Sequence, residues 1–313
     1  MLDYASTYKT SGNSFQNFWK WNYFVLNPQE ILDSLFKRGF ICLGDAGSVL
    51  KRMVVNDLKK MLSEIGEKTS GKKDDLIKRV IERYGTDELE KILPDRYYAL
   101  TELGEDELKQ NEYIAYLHRH HYMSVWEMNI MLNTDNPSYL GYRDILWREL
   151  NIQSSEHFQN FDFGLYRNTR LNMYDFLVEE KKYKTAFNLL TEVISFDLSG
   201  LGNGDKPISN SELFREVKFE SRMANLFTTE GKKEVTLPPA IIGNFERLYN
   251  ELGMNVDEFI KYTYEQFAEI HIDERVFNEN ECANIILAEI GLEERKLKNS
   301  YKVAEQRIRI VQV

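Results

Sequence analysis

Val55-Asn-Asp-Leu-Lys-Lys-Met-Leu-Ser-Glu-Ile-Gly66, followed two residues later by Thr69-Ser-Gly-Lys-Lys-Asp-Asp-Leu-Ile-Lys-Arg-Val80, decides how this chain is read. Leu58, Met61, Leu62 and Ile65 recur at helical spacing in the first segment, and Leu76, Ile77, Val80 and Ile81 do so in the second. Two amphipathic helices, about 55–65 and 72–84, are therefore expected to pack on each other through these faces. The connection Gly66-Glu67-Lys68-Thr69-Ser70-Gly71 is short and polar. Ser70 is placed to cap the second helix, so the amides after Gly71 would point outward beside Lys72 and Lys73, an arrangement suited to holding a phosphate. Gly71 lets another backbone or an anion approach closely.

Charge singles out the same window. Between Lys51 and Arg83 there are ten basic residues against six acidic ones, a net +4, while the 313-residue chain as a whole carries −10 and its remainder therefore −14. An acidic chain repels nucleic acid unless positive charge is concentrated somewhere, and here it is concentrated on two helices and the turn between them.

These residues resemble the SAP motif, a helix, extended turn, helix module that binds DNA. The likeness rests on Leu58-Lys-Lys-Met-Leu62, the glycine ending that helix, the Ser70-Gly-Lys-Lys turn, Leu76-Ile-Lys-Arg79 and the spacing between them. It implies that Lys59, Lys60, Ser70, Gly71, Lys72, Lys73, Lys78 and Arg79 meet the phosphate backbone. One departure stands out: the family usually carries leucine after the first glycine, where this chain has Glu67, an acid beside the expected phosphate path. The flanks, with a capped helix before the motif and Tyr98-Ala-Leu-Thr-Glu-Leu-Gly104 after it, are similar to SAP-containing proteins of Gram-positive bacteria and their prophages.

Working outward, residues 1–26 hold an aromatic cluster, Phe15, Phe18, Trp19, Trp21, Tyr23 and Phe24, which fits neither helical nor strand period and is expected to dock on a later element. Asn27-Pro28-Gln29-Glu30 starts a helix, with Ile31, Leu32, Leu35 and Phe36 on one face and Gly39 as its stop. Phe40 to Leu43 reads as a strand, and Gly44-Asp-Ala-Gly47 as a turn. Tyr98-Ala-Leu100 reads as a second strand, and Thr101 caps a helix running through Leu103, Leu108 and Ile114 toward His121.

Beyond residue 122 the spacing predicts helices around Trp126 to Met131, over 142–150, 170–180 and 184–196, and after Pro238-Pro239. Asn255 with Glu258 and Asn278 with Glu281 are spaced like capping boxes. Leu198-Ser-Gly-Leu-Gly-Asn-Gly-Asp-Lys-Pro207 reads as a long loop, and Arg307-Ile-Arg-Ile-Val-Gln-Val as an edge strand able to pair with Glu234 to Leu237.

Other signals are weaker. His118 and His121 sit one helical turn apart, and His271-Ile-Asp-Glu274 offers a similar pair, but neither shows a third ligand at motif spacing. Glu216-Val-Lys218 with Asp197 or Asp205 upstream has the outline of a metal-dependent nuclease core. Gly200-Leu-Gly-Asn-Gly204 fits no nucleotide-binding fingerprint. Lys182-Tyr-Lys-Thr-Ala186 with Leu189, Leu190 and Val193 looks like one helix of a tetratricopeptide repeat, without a second copy. Cys42 and Cys282, far apart in sequence, are expected to be reduced packing residues.

No run reaches the roughly 18 apolar residues a bilayer needs. Met1-Leu-Asp-Tyr4 lacks the basic and apolar regions of a signal peptide, so the chain is expected to be cytoplasmic, with nucleoid association open to it.

The fold class expected is mainly α with a few short β-strands. Residues 1–121 form an N-terminal domain with the SAP-like module embedded at about 51–84; residues 122–313 form an acidic helical domain with a Gly-rich loop at about 198–207. The function expected is non-enzymatic DNA binding through the phosphate backbone, with modest sequence specificity, no cofactor, no metal and no membrane contact. Two alternatives stay open: a regulatory factor whose acidic helical region captures a protein partner, and a metal-dependent nuclease that uses the SAP-like part as its grip.

Overall fold

The computed structural model describes residues 1–134, 140–199, 237–270 and 277–292. The chain packs as two compact units, Met1–His121 and Tyr122–Val313. It is a helical protein, with one two-stranded sheet among the described residues.

The first unit is built on two separate cores. One gathers Ala5, Tyr8, Leu32, Ile41 and Tyr98. It joins a 3-10 turn (Leu2–Thr7), the helix α2 (Pro28–Lys37) and the antiparallel strands β1 (Ile41–Leu43) and β2 (Tyr98–Leu100), paired in the register Ile41↔Leu100, Cys42↔Ala99 and Leu43↔Tyr98. Side chains alternate across a strand, so burying Ile41 turns Cys42 outward. Cys42 is exposed rather than packed, whereas Cys282 is buried as expected, and both are free thiols.

Pro28 occupies the first turn of α2, but Asn27 spends its side-chain amide on the Glu30 carboxylate (2.7 Å) instead of capping the backbone. Only Leu32 of the expected face is fully buried; Leu35 packs partly, and Ile31 and Phe36 are exposed.

The aromatic N-terminal segment docks as expected. Trp19, in the single-turn α1 (Phe18–Trp21), donates its indole N–H to the Tyr8 hydroxyl (2.7 Å), which donates onward to Gln16 (2.6 Å). Tyr4 and Tyr23 place their hydroxyls on the two ring nitrogens of His118, at 3.0 and 2.7 Å.

The second core belongs to four helices that lie, in sequence, between the paired strands: α3 (Ala46–Arg52), α4 (Val55–Glu64), α5 (Lys73–Tyr84) and α6 (Thr86–Ile92). It is made of Ala46, Leu50, Leu58, Met61, Leu62, Leu76, Ile77, Val80 and Leu89. The turn expected over 44–47 is in fact the start of α3, because Asp45 caps it by accepting from the Ser48 amide (2.7 Å). Ile65 and Ile81, expected in the helix interface, are exposed: each sits at the rim of its apolar stripe, and Ile65 has already left α4.

The helix expected from Thr101 to His121 breaks at Asn111 into α7 (Glu102–Gln110) and α8 (Glu112–His120). Thr101 caps α7 through the Gly104 amide (3.2 Å) and donates to the Gly39 carbonyl (2.6 Å). Gly104 is needed for this approach, since a Cβ there would lie 2.1 Å from the Phe40 carbonyl oxygen.

The second unit begins with α9 (Val125–Asn133), opened by a capping box between Ser124 and Glu127. Then α10 (Tyr142–Gln159), α11 (Phe163–Glu179) and α12 (Tyr183–Ser199) follow with three-residue connections, making successive αα-hairpins. All three run longer than the sequence spacing marks. Arg167 forks onto Asp197 (2.8 and 2.7 Å) and Arg170 pairs with Glu192 (2.6 Å), tying α11 to α12 beside buried Ala186, Phe187 and Leu190.

Helices α13 (Pro239–Leu252), α14 (Val256–Ala268) and α15 (Glu279–Glu289) pack against α12, with Phe187, Phe245 and Phe259 in mutual ring contact. Asn255 with Glu258 and Asn278 with Glu281 form the expected capping boxes.

Among the described residues no helix is long and apolar enough to cross a membrane. The Gly-rich stretch 200–207 and the tail 307–313 lie outside the described residues.

Candidate nucleic-acid interface

The interface begins with the turn between α4 and α5. Gly66 ends α4 with φ +73°. The chain then extends to Gly71, whose φ of +134° is one that residues with a Cβ rarely adopt. Helix α5 starts at Lys73, two residues later than a Ser70 cap would place it. The bond at this end comes from Asp75, whose carboxylate accepts from the Lys72 amide (3.1 Å). The Lys72 ammonium has no lone pair with which to return it, so half a capping box closes the helix start. Asp74 and Asp75 in the first turn complement the helix dipole.

The expected contact residues fall into two groups by environment. Lys59 and Lys60 on α4, Lys72 at the head of α5 and Lys78 along it are exposed, as are Ser70 and Gly71. Lys78 approaches Glu82 at 3.9 Å on the same helix face, while among the described residues no ion pair holds Lys59, Lys60 or Lys72.

Lys73 and Arg79 are half-buried and engaged within the module. The Lys73 ammonium donates to the Lys51 carbonyl (2.7 Å) in the last turn of α3. Arg79 reaches back across the connection, its Nη1 donating to the carbonyls of Lys68 and of Ser70, the latter at 3.3 Å.

Glu67, the departure from the motif, is not a bare acid. Its carboxylate accepts from Arg83 Nε at 2.9 Å. The acid beside the turn is therefore matched by a cation contributed from the last turn of α5.

An open groove of about 420 Å³ runs along the turn, lined by Lys68, Ser70, Gly71, Asp75, Lys78, Arg79 and Glu82. Lys68 is not among the contact residues that the sequence points to. Its place in the connection gave no periodic signal, and only the folding of the turn over Arg79 brings it beside Lys78.

The remaining candidates are placed elsewhere. His118 is a half-buried histidine between two tyrosines, with both ring nitrogens used, and its pKa is held below the ordinary value by burial and by neighbouring His121. Asp197 is held by Arg167, and burial nonetheless raises its pKa. Asp205, Glu216, Lys218 and the 271–274 segment lie outside the described residues. Among the described residues no group of three or more His, Cys, Asp or Glu is placed to hold a metal ion.

Comparison with known families matches residues 49–85 to the SAP domain. The match begins within α3 and ends at Gly85, enclosing the turn, the groove and the exposed lysines. No curated protein and no solved structure matches the chain.

Proposed function

We propose that this protein binds DNA without catalysing a reaction on it, and that the exposed lysines of its SAP domain grip the phosphate backbone. One observation carries the reading: the SAP domain at 49–85 exposes Lys59 and Lys60 on α4 and Lys68 and Lys72 along the extended turn, with no ion-pair partner among the described residues. Phosphate contacts of this kind fix position on a duplex and read little sequence. Nucleoid or nuclear residence follows from the same reading, and a bacterial or prophage source rests on the sequence flanking the module.

About four phosphate contacts give a log–log slope of affinity against salt near −3 to −4. Fluorescence anisotropy of the full chain with a labelled duplex between about 50 and 300 mM salt measures it. Lys68→Gln with Lys72→Gln is expected to remove about two of those contacts and flatten the slope accordingly. No binding at the lowest salt, or an unchanged slope in the double variant, overturns the proposal.

A further inference from the structure

The basic side chains of the module do not all face outward, and the difference assigns them different work. Arg79 sits on α5 eleven residues beyond Lys68, yet its guanidinium donates to the carbonyls of both Lys68 and Ser70. These carbonyls belong to the extended connection, where no helix or sheet ladder satisfies them. Both bonds leave one nitrogen, Nη1, whose two N–H groups fork in fixed directions within the guanidinium plane, whereas a lysine ammonium rotates on a flexible stem.

Gly71 follows immediately at φ +134°, a conformation open to glycine that leaves the path of the turn to be set by contacts elsewhere. Arg79 is half-buried beneath the turn, while Lys68 and Lys72, on either side of it, are exposed and free of ion pairs.

We infer that Arg79 is a positioning residue rather than a phosphate contact: it holds residues 68–70 in the extended form that presents Lys68 and Lys72 to the duplex. The inference rests on the DNA-binding reading for its consequence, but the clamp itself is a property of the free protein. Lys73, tied to the Lys51 carbonyl, plays the corresponding part for the start of α5 by fastening it to α3.

The test separates geometry from charge in the full-length chain. Arg79→Lys keeps the charge and loses the fork, Arg79→Gln loses both, and Lys72→Gln serves as the comparison for a true phosphate contact. Circular dichroism and thermal melting first establish that each variant folds.

Backbone 15N order parameters of residues 67–72, measured without DNA, are expected to fall in both Arg79 variants and to stay unchanged in Lys72→Gln. With a fluorescein-labelled 20-base-pair duplex, both Arg79 variants are expected to bind several-fold more weakly with the salt slope of the parent. Lys72→Gln should flatten the slope by about 0.9.

The inference is overturned if Arg79→Lys binds like the parent while Arg79→Gln loses about one unit of slope, because Arg79 is then a charge contact. It is equally overturned if the order parameters of the turn do not change. Failure of the unsubstituted chain to bind the duplex would instead remove the DNA reading, and the order parameters would still judge the clamp.

Discussion

His118 shows how a residue type can mislead when its neighbours are unknown. In sequence, His118 and His121 look like half a metal site; in the fold, His118 bridges Tyr4 and Tyr23, which come from a segment more than ninety positions away. Burial and the neighbouring His121 favour its neutral form, so its pKa in the folded protein lies below that of the unfolded chain. Between those two values the unfolded state binds more protons, and stability falls as pH falls. The groups facing it are the hydroxyls of Tyr4 and Tyr23, the His121 ring, the Met1 ammonium, its own pKa lowered to about 6 by burial, Asp3 and Arg119. We expect the melting temperature to drop from pH 7 to pH 5 and His118→Gln, which can still bond both tyrosines, to weaken that dependence. An identical pH profile in the variant would show that His118 takes no part.

The same limit governs Glu67. As a letter in the motif it is an acid in the wrong place, and only the return of α5 brings Arg83 onto it. Ser70 was misjudged for a different reason: capping propensity names candidates, but the extended path of the turn moved the helix start to Lys73.

At the scale of elements, the sequence was most legible where a local bond fixes the answer. Asn255 with Glu258 and Asn278 with Glu281 could be read because both partners of each capping box lie within one turn. Helix ends were less legible, because several close with a left-handed residue that is not glycine. After α10 and α11 the chain turns at Phe161 (φ +59°) and Lys181 (φ +57°), and the amide of the next residue bonds back to the carbonyl five positions earlier. Gly66 after α4 and Gly291 after α15 close their helices by the same pair of bonds.

Lacking glycine, Phe161 and Lys181 gave no stop signal, although the strain they carry is real. Lys181 is exposed, so Lys181→Gly is expected to relieve it and stabilise the second unit by about 1 kcal/mol. A chemical-denaturation midpoint that falls instead would show that the side chain contributes more than the strain costs.

For the molecule as a whole, composition and helical spacing were sufficient for the fold class, and the flanks of the motif marked the module as embedded, but the pairing of the strands around it was not legible. The SAP domain was legible as a motif because its chemistry is contiguous. That the strands flanking α3 to α6 pair with each other was not, since β1 and β2 are three residues each and pair across more than fifty positions.

The separation of the two cores has a direct consequence for stability. The amide of Gly44 donates to the Tyr97 carbonyl (2.8 Å), so the module leaves and re-enters the body through adjacent residues. Replacing residues 45–96 by an Asn-Gly turn, which suits a two-residue hairpin, is expected to leave a cooperative urea transition reported by Trp19 and to abolish duplex binding. A chain that no longer unfolds cooperatively would show that the cores depend on each other.

Those adjacent ends also decide what happens when bound DNA is pulled. Arg96 sits at the junction, holding the carbonyls of Leu93, Glu90 and Gly44. If the proposed DNA contact holds, tension drawn through the module reaches β1 and β2 at the same end of both strands. They are then loaded as a zipper, one hydrogen bond at a time, rather than in shear. Arg96, bonded to carbonyls on both sides of the junction, stands at the point where that load enters the strands.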